Sequence, residues 1–140
     1  MTKLPKKNPQ TILLATDFSK PASRAFRYAI TLASTLRVGI IIVHVIKAIP
    51  GPGHEMPVSS RYLDPLRTQA LLDLRHLARI ALDAGICAQS QLVYGQPAGS
   101  ILQASTKMHA GLIILGTHGR TGWDRLEFGS IAERIVREAL

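Results

Sequence analysis

Four short apolar runs, separated by helical stripes, constrain this chain more than any other feature. Residues 11–16 (TILLAT), 38–46 (VGIIIVHVI), 86–94 (ICAQSQLVY) and 111–115 (GLIIL) are all of strand length. Runs that are apolar at nearly every position, rather than at alternate ones, fit strands buried on both faces. The second is rich in β-branched residues; polar interruptions make the third the least regular. Between the first two, Ala22, Ala25, Phe26, Ala29, Leu32, Ala33 and Leu36 mark one helix face. Leu66, Ala70, Leu74, Leu77, Ala78 and Ala81 mark a second. Residues 95–110 read as a turn and a third helix, and a fourth runs from Ser130. This alternation predicts an α/β domain: a doubly wound, open parallel sheet with helices on both faces and right-handed crossovers.

Local signals set the boundaries. Residues 1–10, with Pro5 and Pro9 and no period, are expected to form a flexible basic tail; residues 11–140 form a single domain. Pro21 suits a first helical turn, with Ser19 or Lys20 just outside it. Asp64 is the expected cap of the second helix, which should end near Gly85. Residues 47–62 carry Pro50, Pro52 and Pro57 and read as a loop. The only cysteine, Cys87, lies in a strand-like run and is expected to be a small buried hydrophobe.

Composition excludes several classes. Hydrophobic residues make up 46% and charged residues 19%, a globular rather than a disordered balance. No apolar run reaches the ~18–20 residues of a membrane span, and the basic start lacks the apolar core of a signal peptide. One cysteine allows no internal disulfide, and a cytoplasmic location fits. The net charge of +8 raises the question of nucleic acid. Yet the cations are scattered over the tail and two helices, and no aromatic residues interleave with them. The charge therefore supports a preference for anionic ligands, and nucleic acid is not the expected partner.

The stretch 116–130, GTHGRTGWDRLEFGS, is long and glycine-punctuated for a link between a buried strand and a helix; such links usually take about 2–6 residues. Gly116 and Gly119 are placed to turn the chain off the strand and expose backbone N–H groups. Gly129 and Ser130 stand at a helix N-terminus, where unpaired N–H groups and the helix dipole favour anions. That arrangement suits a di- or triphosphate. Ser130 with Glu133 also forms an S-x-x-E capping box, which needs no ligand, but capping leaves the other glycines unexplained. No G-x-x-x-x-G-K-[ST] occurs, and no G-x-G-x-x-G follows the first strand, so neither a P-loop NTPase nor an ordinary dinucleotide domain is indicated. In open α/β sheets ligands sit beyond the strand carboxyl ends, where the order reverses. TDFS (residues 16–19) and the glycine stretch would flank such a crevice if the first and fourth strands were neighbours.

The pattern G-2x-G-9x-G-[ST], read from Gly116 to Ser130, resembles the ATP-binding branch of the universal stress protein (UspA-like) family. ILLATDFS, VHV, GQP and LGTHGR resemble its landmarks in the same order, over essentially the whole chain from Thr11. The resemblance implies a doubly wound domain that binds ATP, or retains AMP or ADP, often with Mg2+ or Mn2+, and serves regulation under stress, usually as a homodimer. Ala15, Thr16 and Asp17 would border the adenosine, and the Val45 backbone would meet adenine. Leu115, Gly116, His118, Gly119 and Arg120 would line ribose and phosphates, with Gly129, Ser130 and Ile131 closing the phosphate end. The family commonly has an aspartate where this chain has Gly111. It also runs on past the last helix into a short apolar strand that often mediates dimer pairing. With Leu140 last, the final edge strand is expected to be absent and the dimer weakened.

Individual residues sharpen the expectation. Asp17 is the only acid at the carboxyl end of a central strand, a nucleotide contact or, more plainly, an Asx turn. His118 can meet phosphate, but no second His or Cys stands at zinc-ligand spacing. No orienting partner marks it as a general base. His44, His54, His76 and His109 read as structural or surface residues. Arg120 and Arg125 can pair with phosphate, and Trp123 can cover the loop. The functional expectation is a regulatory protein that acts through nucleotide occupancy, with at most slow ATP hydrolysis or autophosphorylation. The alternatives are an ATP-consuming enzyme of the adenine-nucleotide α-hydrolase type, whose Ser/Gly-rich pyrophosphate loop is missing from TDFSKPAS, and a basic nucleic-acid-binding protein.

Overall fold

The apolar runs and helical stripes assemble into one layered unit in a computed structural model, which describes residues 11–47, 60–117 and 129–139. In chain order these form β1 (Thr11–Ala15), α1 (Lys20–Leu36), β2 (Gly39–Lys47), α2 (Ser60–Asp83), β3 (Ala88–Gly95), α3 (Pro97–Lys107), β4 (Leu112–Leu115) and α4 (Ser130–Glu138). The strands make a parallel sheet in the order β3-β2-β1-β4. The chain steps outward from β1 through β2 to β3, then crosses back to place β4 on the other flank of β1. The order therefore reverses between β1 and β4, with Ala15 opposite Leu115 at the carboxyl end.

Side chains leave a strand alternately to either face, so the two faces of this sheet draw on different helices. Ile12, Leu14, Ile40 and Ile42 pack against Phe26, Ala29 and Ala33 of α1 and Leu74 and Ala81 of α2. Leu13, Ala15, Ile41 and Val43 pack against Ala98, Ile101 and Ala104 of α3 and Ile135 of α4. Ile12, Leu13 and Leu14 have no exposed surface. Burial on both faces is why β1 reads as an unbroken apolar run.

Three expectations are corrected. The second helix begins at Ser60 and not after an Asp64 cap; Pro65 lies inside it, and its missing N–H leaves the carbonyl four residues earlier without its helical bond. The third strand starts later than residue 86 and ends at Gly95. Its polar interruptions belong to a strand at the sheet edge, where Gln89 and Ser90 are both exposed. Cys87 is exposed. It sits one residue before β3, where its carbonyl accepts the Ile40 N–H at 2.9 Å, while Ile86 takes the buried place. The tail, most of the 47–62 loop, His54 and residues 118–128 lie outside the described residues.

One close approach positions the site. A Cβ on Gly116 would fall 3.0 Å from the Pro21 carbonyl carbon, 3.1 Å from the Ala22 nitrogen and 3.2 Å from the Pro21 Cβ. Gly116 is not among the positive-φ glycines. Its lack of a side chain lets the first turn of α1 lie directly against the exit of β4, rather than serving a sharp turn of the chain. Two of the three contacts are backbone atoms, which yield little. Gly116→Ala should cost about 1–3 kcal/mol of stability through overpacking, read as a lowered midpoint in urea unfolding.

Candidate functional site

The site is built on the turn that follows β1. The Thr16 N–H donates to the Val43 carbonyl at 2.9 Å, extending the β1–β2 pairing by one bond, and Thr16 is buried. Its hydroxyl Oγ1 accepts the Phe18 N–H at 3.0 Å. Asp17 Oδ1 accepts the Ser19 N–H at 3.0 Å, an Asx turn. Ser19 then caps α1, its Oγ accepting the Ala22 N–H at 3.3 Å. These short-range bonds hold Phe18 at φ +61°, a left-handed conformation uncommon for a bulky residue. The chain leaves the sheet abruptly, and Asp17 stays at its carboxyl edge.

Two helix starts face this turn. Gly129 is the N-cap of α4 and supplies no side-chain cap. Ser130 is the first helical residue, so the expected Ser130–Glu133 capping box does not form. The Glu133 N–H bonds the Gly129 carbonyl at 2.9 Å, and its carboxylate is engaged by Arg137 at 2.5 Å. The Gly129 N–H also donates to the Thr117 carbonyl at 2.5 Å, joining the chain on either side of the glycine stretch. Across the sheet, Pro97 opens α3 behind a Gln96 cap that makes no side-chain bond to the helix. Gly95 stands at φ +150°, a conformation that residues with side chains rarely adopt, with the Ser100 hydroxyl 2.6 Å from where a Cβ would lie.

Between these elements lies a cavity of about 220 Å³ at the carboxyl ends of β1, β2 and β4. Ala15, Thr16, Asp17 and Val45 line one side. Leu115, Gly116, Gly129, Ser130 and Ile131 line another. Nine positions expected from the sequence thus surround one space, because β1 and β4 are neighbours. His118, Gly119 and Arg120 lie outside the described residues, as do Trp123 and Arg125.

The structure adds Ala22, Val43, His44, Pro97, Ile101, Thr117 and Ala132. Pro97 and Ile101 carried a usable signal, since GQP marks a helix start at a strand's carboxyl end. His44, expected to be structural or surface, lines the cavity and bonds the Thr16 carbonyl. Its signal was its place on β2, two residues past buried Ile42. His76 and His109 are exposed.

Among the described residues that line the cavity, Asp17 is the only carboxylate. No group of three or more His, Cys, Asp or Glu residues is arranged to hold a metal among the described residues. A divalent cation would fit here only in the manner of Mg2+ on nucleotides, one carboxylate sharing it with phosphate oxygens. Opposite Asp17, the first N–H groups of α4 receive no side-chain oxygen from their glycine N-cap, which favours an anion. The space therefore offers an apolar floor (Val43, Ile101, Leu115), one carboxylate and one anion-preferring helix end. Among the described residues, no helix is long and apolar enough to cross a membrane.

Comparison with known proteins agrees with this geometry. Residues 9–139 match the model of the universal stress protein family. A universal stress protein of Thermus aquaticus is 31% identical over 93% of this chain and 93% of its own length. One of Methanocaldococcus jannaschii is 28% identical over 91% of this chain and 76% of its own. A crystal structure of a family member from Burkholderia pseudomallei, 27% identical, superposes with a TM-score of 0.77 over 96% of this chain and 93% of that one. Two further universal stress protein structures share the fold. One, in complex with cAMP, has a TM-score of 0.68 at 20% identity, covering 92% of this chain and 90% of that one. The other, from Archaeoglobus fulgidus in complex with dAMP, has a TM-score of 0.63 at 22% identity with the same coverage.

The absence of a capping box has a measurable consequence. A Ser130→Ala change should alter stability by less than about 0.5 kcal/mol, whereas loss of a true serine N-cap costs ~1 kcal/mol. Urea unfolding of the two proteins separates these values.

Proposed function

Because this chain belongs to the universal stress protein family over nearly its whole length, we propose that it binds an adenine nucleotide in the cavity and acts through that occupancy. The observation that carries this reading is the pairing of Asp17 with the uncapped start of α4 across one apolar cleft. The base would lie toward Val45, the ribose near Thr16 and Asp17, and the phosphates beside Gly129 at the N–H groups of Ser130 and Ile131. Gly116 would then act through packing, bringing α1 against β4. The cAMP and dAMP complexes of two proteins with this fold support a nucleotide as the ligand. ATP, with Mg2+ held largely by its own phosphates, is the proposed form. His118, Gly119 and Arg120 would complete the phosphate end.

Regulation, rather than efficient turnover, follows from the donor set. Among the described cavity residues only Asp17 and His44 offer general-base chemistry. Each already has a structural bond, Asp17 to the Ser19 N–H and His44 to the Thr16 carbonyl. A change of shape or of partners on nucleotide occupancy is the proposed signal, in a cytoplasmic protein of the stress response.

Isothermal titration calorimetry with AMP, ATP and GTP, with and without Mg2+, tests this reading. Wild type should prefer the adenine nucleotides. Gly129→Val should weaken ATP binding by about tenfold or more, ~1.4 kcal/mol, by crowding the phosphate end. Asp17→Asn keeps an acceptor for the Ser19 N–H, so it should fold normally while losing several-fold in AMP affinity. Absence of binding by folded, nucleotide-free wild type would overturn the proposal.

A further inference from the structure

β2 runs on beyond the point where β1 stops. The β1–β2 register closes at Ala15 opposite Val43, and the Thr16 N–H to Val43 carbonyl bond completes it. β2 continues beside β3 as far as Lys47. In a parallel ladder a residue turns its N–H and C=O to the same neighbour, and the next residue turns to the other. Val43 faces β1, so Val45 does too, and its peptide N–H and C=O point into the space past the end of β1. Val45 lines the cavity there.

Continuing that ladder would bring the Thr16 carbonyl to the Val45 N–H. It is instead taken by His44 Nδ1 at 2.7 Å. A carbonyl only accepts, so Nδ1 carries the proton and the imidazole is the donor. The ring is also held against Phe18, with centroids 4.6 Å apart and a tilt of 39°. Phe18 in turn holds its left-handed backbone through Thr16 Oγ1. Alternation along β2 explains the reach: His44 lies on the same sheet face as Ile40 and Ile42, the face that Thr16 shares with Ile12 and Leu14.

We infer that His44 is a positioning residue for recognition of the base. By tying off the Thr16 carbonyl it leaves the Val45 peptide open, and by its tilted ring contact with Phe18 it steadies the turn that carries Asp17. This inference rests on the nucleotide reading of the cavity. An open N–H beside an open C=O complements adenine, which presents a ring-nitrogen acceptor (N7) next to a donor amino group (N6). Guanine presents two acceptors, N7 and O6, on the corresponding edge and leaves the carbonyl unsatisfied there. His44 thus acts on selectivity through Thr16 and Val45.

The test titrates AMP and GMP calorimetrically into full-length wild type, His44→Leu and His44→Asn, each checked by thermal unfolding. Leucine removes the donor and keeps bulk; asparagine keeps an N–H donor. His44→Leu should lose up to about tenfold in AMP affinity, the scale of one hydrogen bond, together with most of the AMP-over-GMP preference, while His44→Asn retains both. Long-range proton–nitrogen-15 correlation of ligand-free wild type should show His44 protonated at Nδ1. A ring protonated at Nε2 alone would overturn the inference without reference to any ligand. So would wild-type affinity and preference in His44→Leu, which leaves the nucleotide reading standing. Should that variant not fold, loss of preference in folded His44→Asn has the same force. Wild type that binds neither nucleotide overturns the nucleotide reading and this assignment with it.

Discussion

Everything at the carboxyl edge depends on β1 being held on both flanks and covered on both faces. β2 and β4 pair with it in parallel, and its central residues are sealed by α1 and α2 on one side and α3 and α4 on the other. A strand so enclosed has no room for polar side chains, so polar chemistry begins where it ends, at Thr16 and Asp17. The reversal of strand order then splays the connections after β1 and β4 apart. The cavity is the gap between them.

The local backbone is fitted tightly around that gap. Gly116 lets α1 approach β4 at a distance that a methyl group would obstruct, and Phe18 adopts a costly left-handed conformation to send the chain into α1. Strain of order 1–3 kcal/mol at such a residue persists only where surrounding contacts over-determine it. Here the Thr16 hydroxyl and the His44 ring supply those contacts. The same bonds fix the Thr16 carbonyl and Asp17, so the rigidity of the turn and the readiness of the cavity have one origin. The start of α4 contributes differently: with glycine as its cap, its first N–H groups lack the side-chain oxygen that an ordinary N-cap provides.

Much of this was legible in the residues. Unbroken apolar runs located β1, β2 and β4, and Ser19 with Pro21 marked the start of α1. The spacing of Gly116, Gly129 and Ser130 pointed to the helix end that lines the cavity. What misled had physical causes. Asp64 looks like a cap because a proline follows it, but α2 tolerates Pro65 early in its length. Cys87 looks buried because its neighbours are apolar, but one residue of offset moves it onto the turn before an edge strand. Ser130 and Glu133 have capping-box spacing, yet Arg137 engages the glutamate one turn further on. Two helix ends had no signal at all: Arg37 and His109 take left-handed conformations that glycine would have announced.

The sequence by itself determined the layering, because two-faced burial and helical amphipathicity are written in local periodicity. It also determined which stretches carry polar chemistry, since glycines and a lone acid at a strand end stand out from an apolar background. Strand order it did not determine, because parallel strands can be joined in several orders with similar local patterns. Only the tertiary structure set β4 beside β1, brought the start of α3 to the cavity, and turned His44 onto the Thr16 carbonyl. Those outcomes depend on pairing between residues far apart in the chain, and no local pattern encodes them.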